Sequence, residues 1–108
     1  MSKVPKTVYD VVVATVADYN RMRKALEKGN LTKDQVASLT RKVAAIDDAL
    51  LAICDGEDRD ACEALRIDIG ARNGFEHSKS IVYYGTKYVY NRRKSDAVEM
   101  MARMMDLI

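Results

Sequence analysis

The sequence is poor in the residues that mark several protein classes. One proline and five glycines in 108 residues exclude a collagen-like or linker-like chain. The absence of tryptophan, with one phenylalanine and six tyrosines, is a weak composition for an all-β sandwich. One histidine, His77, and two cysteines cannot supply a four-ligand zinc site, and Cys54 and Cys62 are too far apart for a CxxC redox pair. We therefore predict no metal, no cofactor and two reduced, partly buried thiols.

Long apolar runs are also missing. The most apolar stretch, residues 11–17, is seven residues long and lies between Asp10 and Asp18, whereas a membrane span needs about 20 apolar residues. The first residues lack the apolar region and the small-residue cleavage site of a secretory signal. We expect a cytoplasmic protein with no membrane partner. Because no constellation of side chains indicates catalysis, we also expect that it is not an enzyme.

Apolar residues recur at helical spacing in the first half of the chain. They do so from about Thr7 to Lys28, where Gly29 follows, and this pattern predicts a helix that ends there. Thr32 and Gln35 have the spacing of a capping box. A second helix then carries apolar residues that alternate by three and four, namely Val36, Leu39, Val43, Ile46, Leu50 and Ile53. We predict an antiparallel helical hairpin over residues 7–54, and such a regular seam also allows a homodimer.

The second half, residues 58–108, is predicted to hold three more helices. Asp58 caps a helix from Arg59 to Arg72, which Gly70, Asn73 and Gly74 bring to an end. A short helix over 78–84, a turn at 85–86 and a long helix over 87–107 complete the chain. The buried side of the last helix is predicted to carry Val89, Ala97, Met101 and Met104. The predicted fold is a single all-α domain of five helices, residues 1–108, that ends in a helix-turn-helix.

The formal net charge of +2 hides a strong segregation of charge along the sequence. Residues 1–46 carry nine basic and four acidic side chains, and residues 47–68 carry two basic and eight acidic ones. Residues 78–94 carry five basic side chains and no acidic one. An acidic middle therefore separates two basic segments.

The basic segment 78–94 indicates a DNA-binding surface. In a helix-turn-helix the second helix enters the major groove with its N-terminus first. Asn reads adenine and Arg reads guanine through paired hydrogen bonds, while Lys anchors phosphates. The predicted DNA-binding residues are Lys79, Thr86, Lys87, Tyr88, Asn91, Arg92, Arg93, Lys94 and Ser95. The alternative interpretation of the same residues is an ordinary solvated helix face.

The run from Gly85 to Lys94, with Ala97 and the methionine-rich end, resembles the recognition helix of phage-encoded transcriptional regulators of the RinA/ArpU type, which are related to region four of sigma factors. The resemblance covers about the last 50 residues. It implies binding to double-stranded promoter DNA, activation of late or packaging genes, and host RNA polymerase as a further partner.

A second class of function uses other parts of the chain. A small phage protein-binding inhibitor, of an anti-CRISPR or DNA-mimic type, or an assembly module would act through the acidic residues between Asp47 and Asp68 or through the heptad seam. A structural homo-oligomer is a third option. The acidic residues lack the spacing and central glycine of an EF-hand, so we expect them to form a solvated face.

Overall fold

The computed structural model describes residues 4–54, 59–78, 83 and 85–108. These ranges contain five α-helices: α1 (Lys6–Ala17), α2 (Tyr19–Lys28), α3 (Lys33–Ile53), α4 (Arg59–Ala71) and α5 (Lys87–Met104), with a 3₁₀ turn at Phe75–His77. The prediction of an all-α fold is confirmed. The predicted cap at Asp58 lies outside the described residues, as does most of the predicted helix over 78–84. None of the helices in these ranges has the length and hydrophobicity needed to cross a membrane.

The long helix predicted for residues 7–28 is two helices, and that prediction was wrong at Asp18. The Asp18 backbone leaves helical geometry, and its N–H donates to the Thr15 carbonyl at 3.1 Å, which tightens the last turn of α1. Its carboxylate accepts hydrogen bonds from Arg21 in the first turn of α2, at 2.7 and 2.5 Å. The break lets α1 pack against α4 and α5 while α2 packs against α3.

The predicted hairpin is confirmed for α2 and α3 only. Gly29 ends α2 in the left-handed conformation with φ of 73°, as only glycine does without strain. The capping box is also confirmed. The Thr32 hydroxyl accepts from the Gln35 N–H at 3.2 Å, and the Thr32 N–H donates to the Gln35 side chain at 2.9 Å. Four residues thus connect two helices that pack side by side.

One hydrophobic core draws side chains from all five helices. The last three seam residues of α3, Ile46, Leu50 and Ile53, are buried in it, and α5 packs against α3. Towards the start of α3 the seam opens, since Val36 is 39% exposed. The heptad seam therefore serves mainly the packing of the domain itself. Leu39 and Val43 also pack against the core, and Val36 at the start of the seam is its exposed residue.

The crossing of α1 and α4 is close. A Cβ added at Gly70 would lie 3.1 Å from the Cα and backbone N of Ala17, so the two helix backbones nearly touch there. Gly70 is the last but one residue of α4, which ends at Ala71, one residue before the predicted end at Arg72. Arg72, just beyond the helix, has a φ of 56°, and the N–H of Asn73 donates back to the Asp68 carbonyl at 2.9 Å.

Candidate nucleic-acid interface

The two residues before α5 have the conformation and the side chain that start a helix. Gly85 has a φ of 73°, which places Thr86 in the extended conformation of an N-cap residue. The Thr86 hydroxyl accepts from the Val89 N–H at 3.3 Å. Its own hydrogen is still available to a phosphate oxygen, and the first amides of α5 favour an anion at this end.

Four of the predicted DNA-binding residues lie on one exposed face of α5. Lys87, Tyr88, Asn91 and Arg92 are exposed, and Tyr88 shows 72% of its surface to solvent. Ser95 is half-buried on the same side. A shallow depression in this surface is lined by Tyr88, Asn91, Arg92, Ser95 and Asp96.

Arg92 is the most accessible arginine of this face. Its Nε lies 3.9 Å from Asp96 Oδ2, and the two side chains are 68% and 49% exposed. Such a long and solvated ion pair contributes little to stability, so it costs little to exchange Asp96 for a phosphate or a base edge. We therefore regard Arg92 as able to reach a ligand.

Arg93 and Lys94 point back into the domain instead. The Arg93 guanidinium donates to the Ile53 carbonyl at the end of α3, at 2.5 Å. The Lys94 ammonium donates to the Asn73 carbonyl at 3.2 Å and lies 5.0 Å from the centre of the Tyr90 ring. These two cations hold α5 against the preceding elements, so the exposed face is less basic than the sequence predicts.

The buried side of α5 is rotated from the prediction by about one residue. Ala97 and Met101 are fully buried, as predicted, but Val89 is only half-buried and Met104 is 39% exposed. Tyr90 is fully buried and donates its hydroxyl to the Asn73 carbonyl at 2.8 Å. The ring fills the core while its hydroxyl finds a partner, which decides the register of the helix.

A polar cluster that the sequence analysis missed lies beneath this helix. Asp68 is fully buried in α4, which corrects the prediction that it belongs to a solvated acidic face. Its carboxylate accepts hydrogen bonds from the Asn73 side chain at 2.9 Å and from the Ser78 hydroxyl at 2.8 Å. Because Asn73 in turn accepts from Tyr90 and Lys94, the cluster connects α4 to the start of α5.

The electrostatics of this cluster shift two pKa values. Burial raises the pKa of the Tyr90 phenol, and the negative charge of Asp68 adds to that rise. Burial lowers the pKa of the Lys94 ammonium, while Asp68 acts in the opposite direction. Asp68 thus favours the charged lysine and the neutral tyrosine that the hydrogen bonds require.

Three predictions remain, for Lys79, for the two cysteines and for a metal site. Lys79 lies outside the described residues. Cys54 and Cys62 are half-buried, as predicted, and the Cys62 thiol donates to the Leu50 carbonyl at 3.6 Å. Within the described ranges, no three His, Cys, Asp or Glu side chains come together in a way that would hold a metal ion.

Comparison of the chain with known protein families, curated proteins and solved structures found no match.

Proposed function

We propose that this chain is a small, non-enzymatic DNA-binding regulator that reads double-stranded DNA with the exposed face of α5. The observation that carries the proposal is the grouping of Lys87, Tyr88, Asn91 and Arg92 at the N-terminal half of one capped helix. An amide and a guanidinium one turn from a helix N-terminus are suited to base edges, and the lysine is suited to a phosphate.

The anchoring of α5 supports the same proposal. A helix that reads bases must keep its register on the duplex, and a rigid support achieves this better than a mobile one. Arg93 and Lys94 bind carbonyl groups at the ends of α3 and α4, while Tyr90 fills the core. We assign these three residues to positioning the helix and assign base contact to Asn91 and Arg92.

The further partners belong to the same proposal. A phage-type regulator of this kind would act in the cytoplasm and contact host RNA polymerase once bound at a promoter. A homodimer would place two copies of α5 on successive half-sites about one helical turn apart. A dimer contact on α3 would include Val36, the exposed residue of the heptad seam.

Two arginines of α5 provide a matched test. Arg92 and Arg103 are 68% and 63% exposed, and each is paired at i,i+4 with an acidic residue, Asp96 and Glu99. Arg92→Gln and Arg103→Gln therefore remove the same charge from the same helix, one inside the proposed interface and one at its far end. Fluorescence anisotropy with duplex DNA from the flanking genome, at two salt concentrations, measures both.

We expect Arg92→Gln to weaken binding about tenfold or more and Arg103→Gln to leave it nearly unchanged, because only a contact residue contributes a direct hydrogen bond. Wild-type affinity should fall with salt by about one unit of log–log slope for each phosphate neutralised. If both variants lost the same DNA affinity, the loss would come from net charge alone, and the assignment of the interface would be overturned. Mass measured in parallel tests the dimer.

A further inference from the structure

A cleft on another side of the domain gathers three arginines. It lies between α2, α3 and α4 and has a volume of about 490 Å³, within the range of sites for small molecules. Arg23 comes from α2, and Arg59 and Arg66 come from α4. None of these residues takes part in the proposed DNA interface.

Tyr19 organises the cleft from one wall. Its hydroxyl donates to Asp47 Oδ1 at 2.7 Å and accepts from Arg23 at 3.0 Å. The Arg66 guanidinium carbon lies 4.3 Å from the centre of the Tyr19 ring, and that of Arg23 lies 5.8 Å from the same centre. One buried aromatic ring therefore fixes two guanidinium groups, and one oxygen of the charged Asp47 carboxylate is held by the Tyr19 hydroxyl.

Arg66 is the unusual member of this group. Its side chain is only 14% exposed, yet the nearest carboxylate oxygen among the described residues, on Glu63, is 3.9 Å away. This contact is too long for a hydrogen bond, and Arg66 donates no hydrogen bond to another described residue. Glu63 is 62% exposed, so it is free to turn into solvent. Among the described residues no buried side-chain nitrogen lacks a partner, so the unpaired Arg66 nitrogens meet the solvent of the cleft. They are therefore available to an acceptor that enters it.

The chemistry of the cleft favours phosphate. A guanidinium fork matches two phosphate oxygens, and stacking on an aromatic ring leaves the edge of the fork free to donate. Three arginines suit a group that carries two negative charges better than a monocarboxylate. We propose that the cleft binds the phosphate group of a small phosphorylated molecule, with Arg66 as the two-pronged anchor and Arg23 and Arg59 as flanking cations.

The test is an NMR titration of the isotope-labelled protein with inorganic pyrophosphate. We expect saturable shifts of the guanidinium N–H signals of Arg66 and of amides that line the cleft, while the signals of Tyr88 and Asn91 stay in place. Arg66→Gln should weaken pyrophosphate binding about tenfold, because a two-pronged charged contact is lost, and Arg103→Gln should leave it within about twofold. If Arg66→Gln fails to fold, Arg59→Gln, exposed at the first residue of α4, is expected to weaken binding by a smaller factor.

Three results would overturn the proposal. They are no saturable shift in the wild type, an equal loss of affinity in Arg103→Gln, and binding of acetate as tight as that of pyrophosphate. A further titration, with duplex DNA, distinguishes a small phosphorylated molecule from the phosphates of the DNA backbone. If duplex DNA moves the cleft signals and pyrophosphate does not, the cleft is a contact for the DNA backbone and not a small-molecule site. Because the DNA interface is followed by its own signals, either proposal can fail while the other stands.

Discussion

Replacing the buried carboxylate of Asp68 is expected to destabilise the domain far more than replacing an exposed one. In Asp68→Ala, the Asn73 amide and the Ser78 hydroxyl both lose the acceptor they meet at 2.9 and 2.8 Å. A polar group left without a partner costs about 1–3 kcal/mol, less where water can reach it, and both donors are half-buried. We therefore expect the free energy of unfolding to fall by about 3 kcal/mol, which lowers Tm by roughly 10–20 °C for a domain of this size.

Urea denaturation followed by circular dichroism measures this loss. Asp48→Ala is the matched control, since Asp48 is exposed on α3 and the substitution is the same, and it should change the free energy of unfolding by less than about 0.5 kcal/mol. If the two variants were equally stable, the Asp68 carboxylate would not be held by these donors. The cluster around Asp68 would then not be what positions α5.

Two further perturbations test the packing and the buried phenols. Gly70→Val should destabilise the fold by about 1–3 kcal/mol in thermal denaturation, because the added carbons meet the α1 backbone, and unchanged stability would refute the close crossing. The pKa values of Tyr9, Tyr19 and Tyr90 are raised chiefly by burial, so above about pH 10 the unfolded chain releases these protons before the folded one does. The free energy of unfolding should therefore fall as the pH rises past about 10. The lowered pKa of Lys94 acts in the opposite direction. A net rise in the free energy of unfolding above this pH would contradict the burial of the three tyrosine side chains.

Features set by neighbouring residues could be predicted from the sequence. The capping box at Thr32 and Gln35, the turn at Gly29 and the cap at Thr86 each depend on a few adjacent positions, and the structure has all three. The break at Asp18 carries no glycine or proline and follows a continuous helical pattern. It arises because α1 and α2 have different packing partners, which local spacing does not reveal.

The residues beneath the candidate interface could be predicted only in part. Tyr90 and Val89 are both suited to the inner side of α5. Tyr90 is the one that is buried, because the Asn73 carbonyl lies within hydrogen-bond distance of its hydroxyl. Asp68 lies on the same helical stripe as Ala61, Leu65 and Ile69, an available signal that one acid is buried. Its partners come from the chain beyond α4, so only the tertiary structure identifies them.

The central claim is that the N-terminal half of α5 contacts DNA, and one ratio tests it most directly. It is the ratio of the duplex-DNA dissociation constants of Arg92→Gln and Arg103→Gln, measured at the same salt concentration with both variants shown to be folded. We expect a ratio of about ten or more, because of these two arginines only Arg92 lies on the proposed DNA-binding face. A ratio near one, or a wild type without measurable affinity for duplex DNA, would contradict it.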